Sequence, residues 1–276
     1  MTYTTFMVHL RVGRSNKAVL AVAGGLAQRF GARIVGVAMC RPDDVVYGEA
    51  CLAGAVLQRG RDEMERELAA AETEFHDALQ HRAGESEWRA ALTYSVLPDC
   101  LAQEARCADL VVTAATPDRP WQENARHVDT GDLVMQAGRP VLIVPDSVEE
   151  LPLDHAVICW KDTREARRAV VDALPLLQAA ERVTAIEVAG AEDSALTKQH
   201  IDDLLFWLER HGVAANALMP TAARNGKGVL AAIIEAQASD LIVAGAYGHS
   251  RLREWAFGGV TRDLLMQPTR CALVSH

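Results

Sequence analysis

Aromatic residues are scarce, at 5% of the 276 positions, and there is no basic surplus: 28 Lys and Arg stand against 37 Asp and Glu, a formal net charge of −9. That balance excludes a bare electrostatic grip on nucleic acid or an anionic membrane surface, while local backbone dipoles leave small anionic ligands open. No apolar run reaches the roughly 20 residues of a membrane helix. The opening stretch "MTYTTFMVHL" has neither a basic n-region nor a long apolar h-region. No signal peptide is therefore expected, and a soluble cytoplasmic protein is. The six cysteines form no CxxC pair, so Cys40, Cys51, Cys100, Cys107, Cys159 and Cys271 read as small apolar residues rather than a disulfide or zinc framework. Cys100 and Cys107 lie seven apart on an expected helix and could share a face. The nine histidines show no HExxH or related ligand spacing, and His76 and His81 fall in a charged, solvated stretch. No metal site is expected. A Walker A loop is missing because no GK[ST] occurs after the glycines, and no G-x-S-x-G elbow marks a hydrolase.

What the chain does have is half its residues apolar and an internal repeat. "ADLVVTAATPDRP" aligns with "SDLIVAGAYGHSR", and "TGDLVMQAGRPVLIV" with "TRDLLMQPTRCALVS", both without a gap, so that Asp109 meets Asp240 and Asp132 meets Asp263. The beginnings of the halves also match, "FMVHLRVGRSNKAVLAVAGG" with "AVICWKDTREARRAVVDALP", at a different offset; the first copy thus carries about 18 extra residues in its middle. In the second copy short apolar runs alternate with amphipathic stretches. "HAVICW", "RVTAIEV", "VAANALMP", "DLIVAGA" and "RCALVS" read as strands. "TREARRAVVDALPLLQAA" reads as a helix capped by Thr163, and "SALTKQHIDDLLFWLERHG" as one ended by Gly212. "GKGVLAAIIEAQAS" and "GVTRDLLMQ" complete the helices. Such alternation implies right-handed crossovers and a buried parallel sheet covered on both faces. The expected organisation is two tandem doubly wound α/β domains, residues 1–146 and 152–276, joined by the polar "PDSVEELPLDH".

The stretch "GAYGHSRLREWAFGG" holds four glycines after the fourth strand of the second copy. In open α/β sheets ligands bind beyond the carboxyl ends of strands, at the topological switch point. Gly245 and Gly248 would keep β-carbons out of a ligand's path, and Gly258 and Gly259 precede a helix whose free N–H groups suit an anion. The alternative is that the glycines serve only the turn and close helix packing. Arg251 and Arg253 either lean over a phosphate or face water. In the first copy the four positions are Ala114, Pro117, His127 and Val128, which supply no comparable cradle, so any site is expected in the second copy alone.

The G-x2-G-x9-G spacing of Gly245, Gly248 and Gly258, with "WKDTREARRAVVDALPLL" after the first strand, resembles the universal stress protein family in its tandem two-domain form. The resemblance runs through nearly the whole chain. It implies a five-stranded parallel sheet in each domain, ordered 3-2-1-4-5, pairing of the two last strands within the chain, and an ATP or AMP site, with Mg²⁺ an option. Carried over by position, Ala244, Gly245, Tyr247, Gly248, Gly258, Gly259 and Val260 would line phosphate and ribose. Cys159, Trp160, Lys161 and Val188 would border the base, with Trp160 equally readable as packing against the next helix. The chain departs from the family pattern at Gly259, where the family has Ser or Thr, and at Lys161, where an acidic residue is common. The expectation is a stress-response protein regulated by adenine nucleotide. A nucleotide-free scaffold for a protein partner and a slow ATPase are the alternatives; association of two chains is left open. No dedicated catalytic constellation is visible, and Asp162 and Asp263 read as surface or capping carboxylates rather than Mg²⁺ ligands.

Overall fold

A computed structural model describes residues 2–42, 50–80, 82, 84–115, 126–188, 194–220, 229–246 and 269–276. The first copy runs β1 (Thr5–His9), α1 (Lys17–Phe30), β2 (Arg33–Cys40), α2 (Ala50–Leu79), β3 (Ser86–Leu92), α3 (Leu97–Glu104), β4 (Leu110–Ala114), α4 (Thr130–Gln136) and β5 (Val141–Val144). The second runs β6 (His155–Cys159), α5 (Arg164–Asp172), α6 (Leu174–Ala179), β7 (Arg182–Ile186), α7 (Ser194–Arg210), β8 (Ala215–Leu218), α8 (Val229–Ala236), β9 (Leu241–Gly245) and β10 (Cys271–Ser275). The strands form one sheet in the order β3-β2-β1-β4-β5-β10-β9-β6-β7-β8. Each copy therefore has the 3-2-1-4-5 order, all parallel within a copy, and the copies meet through the antiparallel pair β5–β10. This is the doubly wound α/β architecture read from the sequence.

Alternation along the strands divides the core into two layers. Phe6, Val8, Ala156, Ile158, Val183 and Ala185 face α1, α2, α5, α6 and α7. Met7, Val157 and Ile186 face α3, α4 and α8 on the other side. The registers make the copies superimposable strand by strand: Phe6 lies opposite Leu110 as Ala156 lies opposite Leu241.

Local sequence accounts for the boundaries. Thr163 caps α5, its hydroxyl accepting the Ala166 N–H at 3.3 Å. Gly212, at φ 77°, follows α7, and Gly31, at φ 66°, follows α1. Three expectations change. "TREARRAVVDALPLLQAA" is two helices rather than one, broken at Ala173 because Pro175 has no N–H to continue the ladder. Cys100 lies on α3 whereas Cys107 lies in a 3₁₀ turn after it, so the two do not share a helix face. The connection between copies is not wholly polar either: Leu151 and Leu153 are buried, the latter at φ 67°. Arg11–Asp146 and Lys17–Glu149 pairs hold that connection to the first copy. The extra residues of the first copy lie around the start of α2, which has 30 residues against 17 in α7.

Candidate functional site

In the second copy the chain leaves β6 toward β7 on one side and meets β9 on the other, so the switch point falls at the carboxyl ends of β6 and β9. There Cys159 lies directly opposite Ala244. The Trp160 N–H reaches the Ile186 carbonyl at 2.8 Å, and the Ala246 N–H reaches the Ser275 carbonyl at 2.8 Å, which carries the ladder past the strand ends on both sides. Val188 sits just beyond β7, half-buried, and Lys161 is exposed beyond β6. Tyr247, Gly248, Gly258, Gly259 and Val260 lie outside the described residues, as do Arg251, Arg253 and Asp263.

The three consecutive candidates at the end of β6 do not share a face. Cys159 packs toward the α8 layer and Trp160 toward α5 and α7. Burial pushes the Cys159 thiol up to about 12, so it is a small neutral lining group and no nucleophile. Trp160 is partly buried against the α5–α7 layer. Gly245 has a function in the fold itself: a β-carbon there would run into the backbone of Glu165 and Ala166 at the start of α5. The missing side chain lets α5 approach β9 closely.

Two carboxylates crowd the same strand ends: Asp162, which the sequence reads as a surface or capping group, and Glu187, which sequence reasoning passed over. Asp162 is engaged by Arg167, at 2.9 Å from Nε and 2.8 Å from Nη2. His200 of α7 stands between Asp162 and Glu187, with its two ring nitrogens 3.9 Å from one carboxylate oxygen each. Glu187 is only 7% exposed, and burial raises its carboxyl above the ordinary range. The signal was available: Glu187 interrupts the apolar pattern of β7 in the same phase as Val183 and Ala185, so it had to face the helix layer. Among the described residues no group of three or more His, Cys, Asp or Glu is arranged to hold a metal ion. Asp162 is thus tied into ion pairs.

The first copy closes the same place with its own side chains. His9 and Thr113 occupy the positions of Cys159 and Ala244, and His9 Nδ1 lies 2.9 Å from Thr113 Oγ1, fully buried. Val128, at the Gly259 position, is 4% exposed in the core, and Ala114 is buried. Asp129 then caps α4, its carboxylate accepting the Asp132 N–H at 2.8 Å. The alignment puts Val260, whose side chain has no hydrogen-bond acceptor, at the Asp129 position of the second copy.

The fold and the switch-point crevice define a tandem doubly wound α/β protein. Its architecture is that of solved universal stress proteins. One from Archaeoglobus fulgidus DSM 4304 matches with a TM-score of 0.75 and 11% identity over 100% of this chain and 99% of that one. A putative universal stress protein from Pseudomonas aeruginosa UCBPP-PA14 matches with a TM-score of 0.65 and 13% identity, covering 99% and 93%. A functionally unknown protein from Pseudomonas aeruginosa PAO1 matches with a TM-score of 0.61 and 12% identity, covering 99% and 92%. No protein-family model matches the chain, and no curated protein matches its sequence. The chain has the universal stress protein fold in its tandem form. No helix among the described residues is long and apolar enough to cross a membrane.

Proposed function

We propose that this is a tandem universal stress protein whose second copy binds an adenine nucleotide, ATP or AMP, at the β6–β9 switch point as a regulatory ligand. The observation that carries the reading is the contrast between the copies. The first spends His9, Thr113, Val128 and the Asp129 cap on closing the crevice and satisfying the helix start. The second offers Cys159 and Ala244 there, followed by four glycines and an uncapping Val260. Free first-turn amides and glycine-turn amides are the groups that hold phosphate. Lys161, exposed at the mouth, supplies positive charge where Asp162 and Glu187 supply negative. Mg²⁺ would enter with the phosphates rather than on a protein-built site. Phosphate neutralisation also permits slow ATP hydrolysis as a side activity, without a dedicated base.

A nucleotide-free scaffold for a protein partner is the second reading, favoured by the carboxylates at the strand ends and by the packing role of Gly245. Calorimetric titration with MgATP separates the two. Saturable binding at one site per chain, abolished in Gly248→Val, supports the nucleotide site. Absence of heat from protein shown to carry no co-purified nucleotide leaves the scaffold. Gly245 is unsuitable for this test because its substitution disturbs α5.

A further inference from the structure

We infer that the groove between α5 and α7 is a separate binding site for a small aromatic amine, an arylalkylammonium ion. The groove measures about 320 Å³, which falls within the ~300–1,000 Å³ of small-molecule sites. Its apolar wall is built from Trp160, Val170, Leu204 and Trp207, with Val171, 45% exposed, forming one lip. Two indoles in one groove offer apolar area for an aromatic body; one face of Trp207 is covered by the stacked His211 ring, centroids 3.9 Å apart, which leaves its other face and the Trp160 ring to attract a cation.

The charges select the sign of the ligand. Asp162, Arg167, His200 and Asp203 stand around the apolar wall. Arg167 is already committed to Asp162. Asp203 has no ion-pair partner among the described residues, so its carboxylate is free to receive an ammonium group. Behind His200, Glu187 adds a second negative charge from the buried side, and its Oε2 has no hydrogen-bond partner among the described residues. Trp160 Nε1 is buried and equally unpaired. Buried polar groups are nearly always satisfied in native proteins, so the Trp160 indole N–H, a donor that an ammonium group does not satisfy, calls for an ordered water beside the groove. An anion would meet the unpaired Asp203 carboxylate, and the one guanidinium of the groove, on Arg167, is already engaged by Asp162.

In the first copy a larger side chain packs the corresponding helix onto the sheet: Phe75 of α2, fully buried, lies over Gly36 and packs on Trp88 with ring centroids 5.3 Å apart. The groove lies on the α5–α7 side of the sheet, opposite the layer that Cys159 faces, and the inference stands whether or not nucleotide binds.

The test is a titration of the full chain, followed by ¹H–¹⁵N resonances of the Trp160 and Trp207 indoles, assigned with Trp160→Phe and Trp207→Phe. The probes are phenethylammonium, its neutral analogue 2-phenylethanol and the anion phenylacetate. Saturable shifts of both indoles by phenethylammonium are expected, with affinity at least about tenfold above 2-phenylethanol. Asp203→Asn, at an exposed position, should remove most of that preference without altering 2-phenylethanol binding. Val171→Arg should abolish binding by tethering a cation at the lip, and it serves if Asp203→Asn misfolds. Equal affinity for amine and alcohol, preference for phenylacetate, or no shift at either indole overturns the inference. So does an unchanged phenethylammonium affinity in both Asp203→Asn and Val171→Arg.

Discussion

At the scale of single residues, glycine and histidine carry the sharpest consequences. Gly245→Ala forces a methyl into the backbone of α5, and overpacking of this kind costs about 1–3 kcal/mol. The equivalent first-copy position is already Ala114, so Ala114→Val tests a different contact and is no control; Gly25→Ala, on α1 with open space around it, is the control and should be neutral or slightly stabilising. Urea unfolding of both variants checks the pair, and an unshifted midpoint for Gly245→Ala would sink the packing argument. His9 is held neutral: burial lowers it from the ordinary 6.5 to about 4, with Arg11 and His127 adding repulsion. A depressed folded-state value means the unfolded chain binds the extra proton. Its contribution is therefore complete above pH 6.5 and is lost as pH falls toward 4, reaching about 3 kcal/mol there. His155, lowered in the same direction by burial, adds to the same slope. His9→Asn should flatten the wild-type decline in urea midpoint between pH 6.5 and 4; parallel declines would refute the assignment. Of the candidate site, sequence patterning located the strand ends, and the register does bring Cys159 against Ala244. The split of Cys159 and Trp160 to opposite layers follows from the two-residue period of a strand, yet a list carried over by position cannot express it.

At the scale of elements, what precedes the last strand of each copy decides what a crevice can hold: α4 in the first, and in the second a stretch that the sequence reads as a helix and that lies outside the described residues. In α4 the first-turn amide is taken by Asp129. Asp129→Ala should cost about 1 kcal/mol through loss of that cap. The reverse substitution, Val260→Asp, places a carboxylate where the second copy is proposed to receive phosphate. It is expected to leave unfolding unchanged or slightly raised and to weaken MgATP by tenfold or more, read by calorimetry. Undiminished affinity would move the phosphate away from that helix start. Most elements were legible because their cues are local: Thr163 before α5, Gly212 after α7, and the apolar runs of β7 and β9. Even the edge strand β8, with its alternating half-exposed pattern, was readable. The break between α5 and α6 was not read, because the apolar period continues through Pro175 while its missing N–H ends the ladder. The burial of Leu151 and Leu153 escaped as well, because it comes from neighbours distant in sequence.

At the scale of the whole molecule, the duplication has produced one structure rather than two beads. β5 and β10 pair with Leu142 opposite Leu273, both fully buried, and a single apolar layer runs from Phe6 through Leu142 to Leu273 and Leu208. The Tyr3 hydroxyl donates to the Asp172 carbonyl at 2.6 Å, and Arg168 reaches the Gly138 carbonyl at 3.0 Å, so each copy also satisfies polar groups of the other. A strand edge left by one copy would expose an unpaired row of N–H and C=O groups beside apolar surface, which makes partial unfolding expensive. The two copies should therefore unfold in one transition. Leu273→Ala removes side-chain volume at the seam and should cost about 2–5 kcal/mol. The decisive reading is where that loss appears. If the seam couples the copies, hydrogen exchange in urea will accelerate equally in β2, four strands from the substitution, and in β7, three strands from it. If β2 keeps its wild-type protection while β7 loses its own, the copies are independent folding units held together by the 145–154 connection, and any signal from a ligand in the second copy would have to reach the first by another route.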